Sequence, residues 1–469
     1  MQKLATFMVI ATSLAATAAD VRTVIVSPSV GLGPVKPLNA VNNGPTAPRK
    51  TQSNSNFAAY KAANIPFARQ HDAALFNGYG GTHVGDITAI FPDFDRNEDD
   101  PAAYDFAFTD KMLDTLRQAG TEPYFRLGQS IEHGVKKYGI YPPKDFAKWA
   151  RVCEHVIRHY NEGWADGFRW NVRHWEIWNE ASNNATNNPT CWGGTEAQFH
   201  DFYETVARHL KAKFPALRIG GPATTGWEAW SERFIVEMAR RRVPIDFFSW
   251  HCYLTKVEDV VARAEHMRGY LDANGYRTTE SHMTEWNYVR DWADGWAYSL
   301  SVESGSRRMK GAAFVAGVMS ACQAAPVDMA HYYDARPMTR MNGLFSCQDG
   351  SPLEGYYALY AWGKLRRLGT WVRTSVLGAD GSADAGDVRA TAATDGRGGV
   401  GVLLSRYRDD DNVVQTARVR VRIEGVSLDG AFAHVTDSCH LFTEVPLEAN
   451  ADGSAELVLE PFAVVYIGK

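Results

Sequence analysis

Trp175-Glu176-Ile177-Trp178-Asn179-Glu180 is an apolar run that ends in an amide and an acid and passes into the polar stretch 181–194. The run reads as a buried β-strand, and a second run of the same form follows further along. His282-Met283-Thr284-Glu285-Trp286-Asn287 again places a Glu at the end of an expected strand. Between and around the two, short apolar runs alternate with segments of 3.6-residue periodicity, the pattern of strands joined by crossover helices. Strands are expected over residues 35–41, 65–69, 122–127, 174–179, 217–222, 246–251, 281–287 and 327–334. Helices are expected over 103–119, 145–161, 198–213, 229–241, 257–273 and 304–322. Eight such units predict a (β/α)8 barrel spanning residues 35–368.

In that architecture chemistry sits at the carboxyl ends of the strands. Glu180 would end the fourth strand and Glu285 the seventh, which face each other across the mouth. Two facing carboxylates are what glycoside hydrolysis requires, one to protonate the leaving oxygen and one to attack or to activate water. Glu176, deeper in the fourth strand, is expected on the face of Trp178 and Glu180 and needs a buried partner. The other strand ends supply the rest of the candidate site. Arg69, His71 and Asp72 close the second strand, and the Arg can orient the nucleophile and keep it charged. His251 and Tyr253 close the sixth, near enough to position the nucleophile. Tyr333 closes the eighth, with Tyr332 on the opposite face. Asn179 and Trp286 flank the two acids and complete the substrate-binding set. His282 is read as core.

After Gly369 helical periodicity stops. Short β-rich runs alternate with Gly and Asp turns over residues 369–469, which predicts a β-sandwich accessory domain. Residues 20–34 are expected to add an N-terminal strand to it. Residues 1–19 carry one early lysine, a short apolar run and Ala16-Thr17-Ala18, the pattern of a secretory signal peptide. A secreted or periplasmic location is therefore expected, with no membrane span. The formal net charge of −5 shows no basic excess and excludes a nucleic-acid reader. Fourteen tryptophans suit a carbohydrate site, where flat rings meet sugars, as well as an ordinary core. The six cysteines fit no metal spacing, and their fifteen possible pairings are not separable from sequence. No metal or other cofactor is expected. The partner is an oligosaccharide or polysaccharide substrate.

An Asn-Glu ending strand four and a Glu ending strand seven resemble the large clan of retaining barrel glycosidases. Within it the chain most resembles glycoside hydrolase family 39, which includes β-xylosidases and α-L-iduronidases. The matching pieces are Arg69-x-His71-Asp72, Trp175 to Glu180, His251-x-Tyr253, Thr284-Glu285-Trp286-Asn287 and Tyr104-Asp105-Phe106. The resemblance implies Glu180 as acid/base and Glu285 as nucleophile. It implies Asn179 on the sugar 2-hydroxyl, with Arg69, His71 and His251 lining the deepest subsite. Iduronidases carry a Lys where this chain has Tyr253, and a uronic carboxylate needs a cation, so a neutral glycan is expected. The leading reading is an exo-acting retaining hydrolase releasing xylose, arabinopyranose or galactose. The alternatives are an endo-acting enzyme on a polysaccharide, a silent carbohydrate-binding protein, and a structural role for the β module.

Overall fold

The structure is a computed structural model that describes residues 21–47, 55–71, 83–183, 189–225, 229–337, 341, 343–383 and 386–469. The expected signal peptide, residues 1–19, and Asp72 lie outside the described residues. After β1 (Val21–Pro34), eight strands close into a barrel. They are β2 (Ala40–Asn42), β3 (Phe67–Gln70), β4 (Glu122–Leu127), β5 (His174–Ile177), β6 (Arg218–Thr224), β7 (Phe247–Leu254), β8 (Glu280–Tyr288) and β9 (Met329–Tyr332). Every pair is parallel, and β2 bonds both β3 and β9 to seal the ring. The first strand is shorter than expected. Pro34 and Pro37 lack the N–H a ladder needs, and Val35 N–H donates to Gly369 O instead.

Helices fall where apolar periodicity placed them, among them Phe146–Asn161, Ala229–Arg241 and Val257–Ala273. Asp145 caps the first through its carboxylate on Lys148 N–H. Glu196–Lys213 opens on a reciprocal capping box between Thr195 and Gln198. Among the described residues, four α-helices escape the sequence reading: Phe57–Ala62, Ile87–Ile90, Trp296–Glu303 and Glu354–Leu368. The last is wedged between barrel and sheet and is buried on most sides, so it has no polar face to give a period. Gly363 lets it press on the Ala63 carbonyl, where an added Cβ would lie 2.1 Å away.

The barrel floor is filled by Ala40, Phe67, Tyr124, Phe247 and Met329. Rings of His174, His282 and His331 lie within 6 Å of Tyr124. The interior is thus a packed layer beneath the site rather than a pore.

The remaining strands are β10 (Thr370–Leu377), β11 (Val388–Thr394), β12 (Val400–Arg406), β13 (Ala417–Ile423), β14 (Phe432–Thr436), β15 (Thr443–Pro446), β16 (Ala455–Leu459) and β17 (Val464–Gly468). With β1 they make one nine-stranded sheet ordered β15-β14-β17-β12-β11-β10-β1-β13-β16. All its pairs are antiparallel except β1 with β13. The sheet curls around Val24, Val402, Leu404, Val419, Val421 and Ile467, which brings its two ends to one apolar core. The expected sandwich is therefore built from a single curled sheet. Strand β15, almost wholly exposed, carries no alternation by which it could have been foreseen.

Among the described residues, no helix is long and apolar enough to cross a membrane.

Candidate active site

Ladder pairing of β5 stops at Ile177, and the chain then kinks. Trp178 and Glu180 both take left-handed backbone angles, with φ of 70° and 43°. Such conformations cost on the order of 1–3 kcal/mol each and persist only where the surroundings hold them. Here Trp178 N–H donates to Leu127 O at 2.7 Å and Glu180 N–H to Ala223 O at 2.9 Å. The kink overturns the expected alternation. Trp178 does not share a face with Glu180; its ring packs outward against Trp149, Trp192 and Phe202. Its indole N–H donates to Cys191 O, which ties the loop after Glu180 to the strand.

A shift of register does the same for β8. Trp250 pairs with Met283 but His251 pairs with Glu285, so Thr284 is an extra residue on β8. His282 and Glu285 are three apart and would face opposite sides in a regular strand. With the shift, His282 stacks on Phe247 in the barrel floor while Glu285 reaches the mouth above it.

Arg69 is completely buried and organises the centre. Its Nε donates to Glu176 at 2.6 Å, one terminal nitrogen donates to Glu285 at 2.8 Å and to Asn42 at 3.1 Å, and the other donates to Asn179 at 2.8 Å. Glu176 thus finds the partner its burial demands. The second Glu285 oxygen accepts from the Tyr253 hydroxyl at 2.7 Å. His71 Nε2 lies 3.3 Å from Glu285 Oε1. His251 Nδ1 lies 2.7 Å from Glu180 Oε1 and 3.5 Å from Glu285 Oε2, bridging the two acids. One oxygen from each carboxylate and a His251 nitrogen all fall within 4.8 Å of one another.

Burial works to raise the Glu285 carboxyl, but His251, His71, Arg69 and the Tyr253 hydroxyl outweigh it and hold the group below the usual Glu range. Burial and the adjacent carboxylates push the Tyr253 phenol well above its ordinary value, so it remains a donor. Glu180 keeps more contact with solvent than Glu285. Its Oε2 is approached by Asn183 Nδ2 at 3.4 Å and Cys191 Sγ at 3.9 Å. Three ligand atoms this close could in principle share a cation. The donor set argues against one, because both Glu285 oxygens already accept from Arg69 and Tyr253, and a metal there would face a guanidinium.

The structure therefore brings Glu180, Glu285, Arg69, His71, Asn179, His251 and Tyr253 together. Tyr333 joins them as part of the wall, its ring 6.3 Å from His71 and 6.4 Å from Tyr253. Trp286 does not join. Its side chain points out of the barrel and packs on Tyr332 and Phe314, because its neighbour Glu285 takes the inward position. Asn42 was missed by sequence reasoning, although it ends a barrel strand, which was the available signal. It accepts from Arg69 and donates to the Thr284 carbonyl, bracing the shifted strand. Asn183 and Cys191 carried no such signal, since they lie in loops.

A closed parallel barrel with two acids facing each other at its carboxyl mouth, one of them clamped by a buried arginine, defines a paired-carboxylate barrel protein. The family model described as "Glycosyl hydrolases family 39" matches residues 62–339, and the chain belongs to that family. It is 26% identical over 234 residues to a β-xylosidase of Geobacillus stearothermophilus, covering 44% of this chain and 45% of the relative. It is 29% identical over 216 residues to a β-xylosidase of Caldicellulosiruptor saccharolyticus, covering 41% and 42%. The match thus spans less than half the length of either relative. Among solved structures, a glucosidase from Croceicoccus marinus superposes with a TM-score of 0.74 at 22% identity, covering 96% of this chain and 98% of that one.

Proposed function

We propose that the protein is an exo-acting retaining glycoside hydrolase with Glu285 as nucleophile and Glu180 as acid/base, acting on a neutral, β-xyloside-like glycan. The observation that carries the proposal is the spacing of the acids, with oxygens within 4.8 Å. Retention by double displacement needs carboxyls about 5–5.5 Å apart, whereas inversion needs about 6.5–9.5 Å to admit a water.

Glu285 stays ionised under the Arg69 and Tyr253 donors and the two nearby histidines, and attacks the anomeric carbon. Two carboxylates this close repel when both are charged. In the proposed cycle Glu180 donates a proton to the leaving oxygen. A glycosyl ester on Glu285 results. Glu180, now a carboxylate, takes a proton from water, which attacks the ester and restores both groups. His251 touches both acids and keeps them in register through both steps. The Asn179 Nδ2 donor is buried and lacks a protein partner. A sugar 2-hydroxyl supplies the acceptor it needs, a contact that strengthens in the transition state.

A neutral sugar is supported by charge. Among the described residues, these three arginines are matched by carboxylates: Arg69 by Glu176 and Glu285, Arg126 by Asp86, and Arg336 by Asp334. No excess cation remains among them for a uronic acid. The β-xylosidases among the relatives support xylose as the first sugar to try. The pattern of residues 1–19 supports a secreted or periplasmic enzyme.

The test is hydrolysis of nitrophenyl glycosides of xylose, arabinose, galactose, glucose and glucuronic acid in both anomers. Wild type should cleave a neutral pentoside or hexoside. Glu180→Ala should lose about 10²–10⁴-fold and recover with azide, and Glu285→Ala should be inactive. Activity surviving both substitutions would remove the assignment.

A further inference from the structure

A cavity of about 700 Å³ lies where the curled sheet meets the barrel, and none of the candidate catalytic residues lines it. Its size falls among ordinary small-ligand sites, roughly 300–1,000 Å³. Arg22 of β1, Arg389 of β11, Arg406 at the end of β12 and Arg408 just beyond it form the sheet side, and Lys256 faces them from the barrel.

The acids of the cavity cancel only part of this charge. Arg22 pairs with Asp387 at 3.2 Å, Arg406 with the same carboxylate at 2.9 Å, and Arg389 with Glu258. Asp409, which also lines the cavity, is taken by Lys310 at 2.7 Å. The side chains of Lys256 and Arg408 make no hydrogen bond or ion pair with any described residue. Lys256 is also the N-cap of the helix Val257–Ala273, whose first turn has no side-chain cap. The positive end of that helix adds to the field of the two unmatched cations.

The cavity is also built in advance of any ligand. Arg406 is 5% exposed; its Nε donates to Asp387, and one terminal nitrogen donates to the Gln415 and Leu459 carbonyls at 2.6 and 3.0 Å. Its other terminal nitrogen donates to none of the described residues. Asp387 Oδ1 is buried and accepts no hydrogen bond. A fixed guanidinium with a donor to spare suits a carboxylate. A buried carboxylate oxygen with no donor suits a hydroxyl. A bare phosphate satisfies the first and is repelled by the second, whereas a sugar acid satisfies both.

We propose that this cavity is a non-catalytic binding site for an acidic sugar, a pyranose that bears a carboxylate. The cations take the carboxylate, and Asp387 Oδ1 accepts from a ring hydroxyl. The site goes beyond the catalytic reading and does not depend on it, because binding at the joint uses neither Glu180 nor Glu285.

The test is calorimetric titration of the full chain with glucuronate, glucose and inorganic phosphate at fixed ionic strength, since added salt alone screens charge. Glucuronate should bind saturably at one site, glucose should not bind, and phosphate should bind about tenfold more weakly than glucuronate. Lys256→Ala and Arg408→Ala, both at exposed positions, should each weaken glucuronate about 10- to 100-fold. Glu180→Gln should bind it as wild type does. Absence of saturable glucuronate binding, equal affinity for phosphate or glucose, or binding that survives both cation substitutions would overturn the proposal. Loss of binding in Glu180→Gln would overturn it as well, by placing the acid in the barrel mouth.

Discussion

Arg69 donates to two carboxylates and two amides from a position without solvent, and the chemistry of the site follows from that arrangement. Guanidinium geometry can serve several acceptors at once, which a lysine could not do. Glu285 is held charged by this group, by two histidines and by the Tyr253 hydroxyl. A carboxylate with a lowered value stays ionised as acid is added, until pH falls through that value. The acid limb of kcat/KM should therefore lie below the ordinary Glu value of about 4.3. Tyr253→Phe removes one donor, so the limb should move to higher pH. The maximum should fall about 10- to 100-fold, from the loss of a hydrogen bond to a charged group worth about 1.5–3 kcal/mol. A pH profile of initial rates checks both. Most residues of this centre were legible in the sequence because they stand at or near strand ends, where the barrel rule places chemistry; Asn42, which also ends a strand, was missed. Trp286 was misplaced for the opposite reason: nearness to Glu285 in sequence means the other face in a strand.

At the scale of elements, strands were easier to read than their irregularities. The period of two located β5 and β8, but the kink at Trp178 and the extra residue at Thr284 depend on tertiary hydrogen bonds that no local pattern encodes. Both departures fall beside Glu180 and Glu285 and set which way those carboxylates point. Beneath them the strands contribute His174 and His331, two histidines whose burial disfavours the charged form. Burial, with nearby His282, pushes His174 down to about 3, and burial pushes His331 well below its usual range. A base with a depressed folded value is protonated in the unfolded chain first. Below about pH 6.5 the unfolded state binds more protons, so stability should decline as pH falls from there toward 3. His174→Gln should flatten this decline in urea unfolding measured across that range. An unchanged slope would remove the histidine layer as its source.

At the scale of the molecule, the curled sheet is joined to the barrel through charge as well as packing. The Lys310 ammonium is 1% exposed and lies 2.7 Å from both Asp409 and Asp411. Burial lowers its tendency to stay charged, but the two carboxylates and the Tyr298 hydroxyl more than restore it. Replacing both acids with alanine strands a buried charge, which should cost about 3–5 kcal/mol in chemical denaturation. Adding Lys310→Met should recover most of that loss. The sequence showed a barrel followed by β texture, because periodicity changes at Gly369. It did not show the joint, whose partners are about a hundred residues apart, nor the helix Glu354–Leu368, whose burial between the two parts erases its polar face. The same two aspartates also hold Arg290 and Tyr298, in the segment that follows β8. The central claim, that Glu180 and Glu285 act as acid/base and nucleophile in a double displacement, is tested most directly by the anomeric configuration of the first-formed sugar. Proton NMR during hydrolysis of whichever glycoside is cleaved should show the substrate's anomer appearing first, with the other growing only by mutarotation. First appearance of the opposite anomer would mean a single displacement by water and would contradict the account.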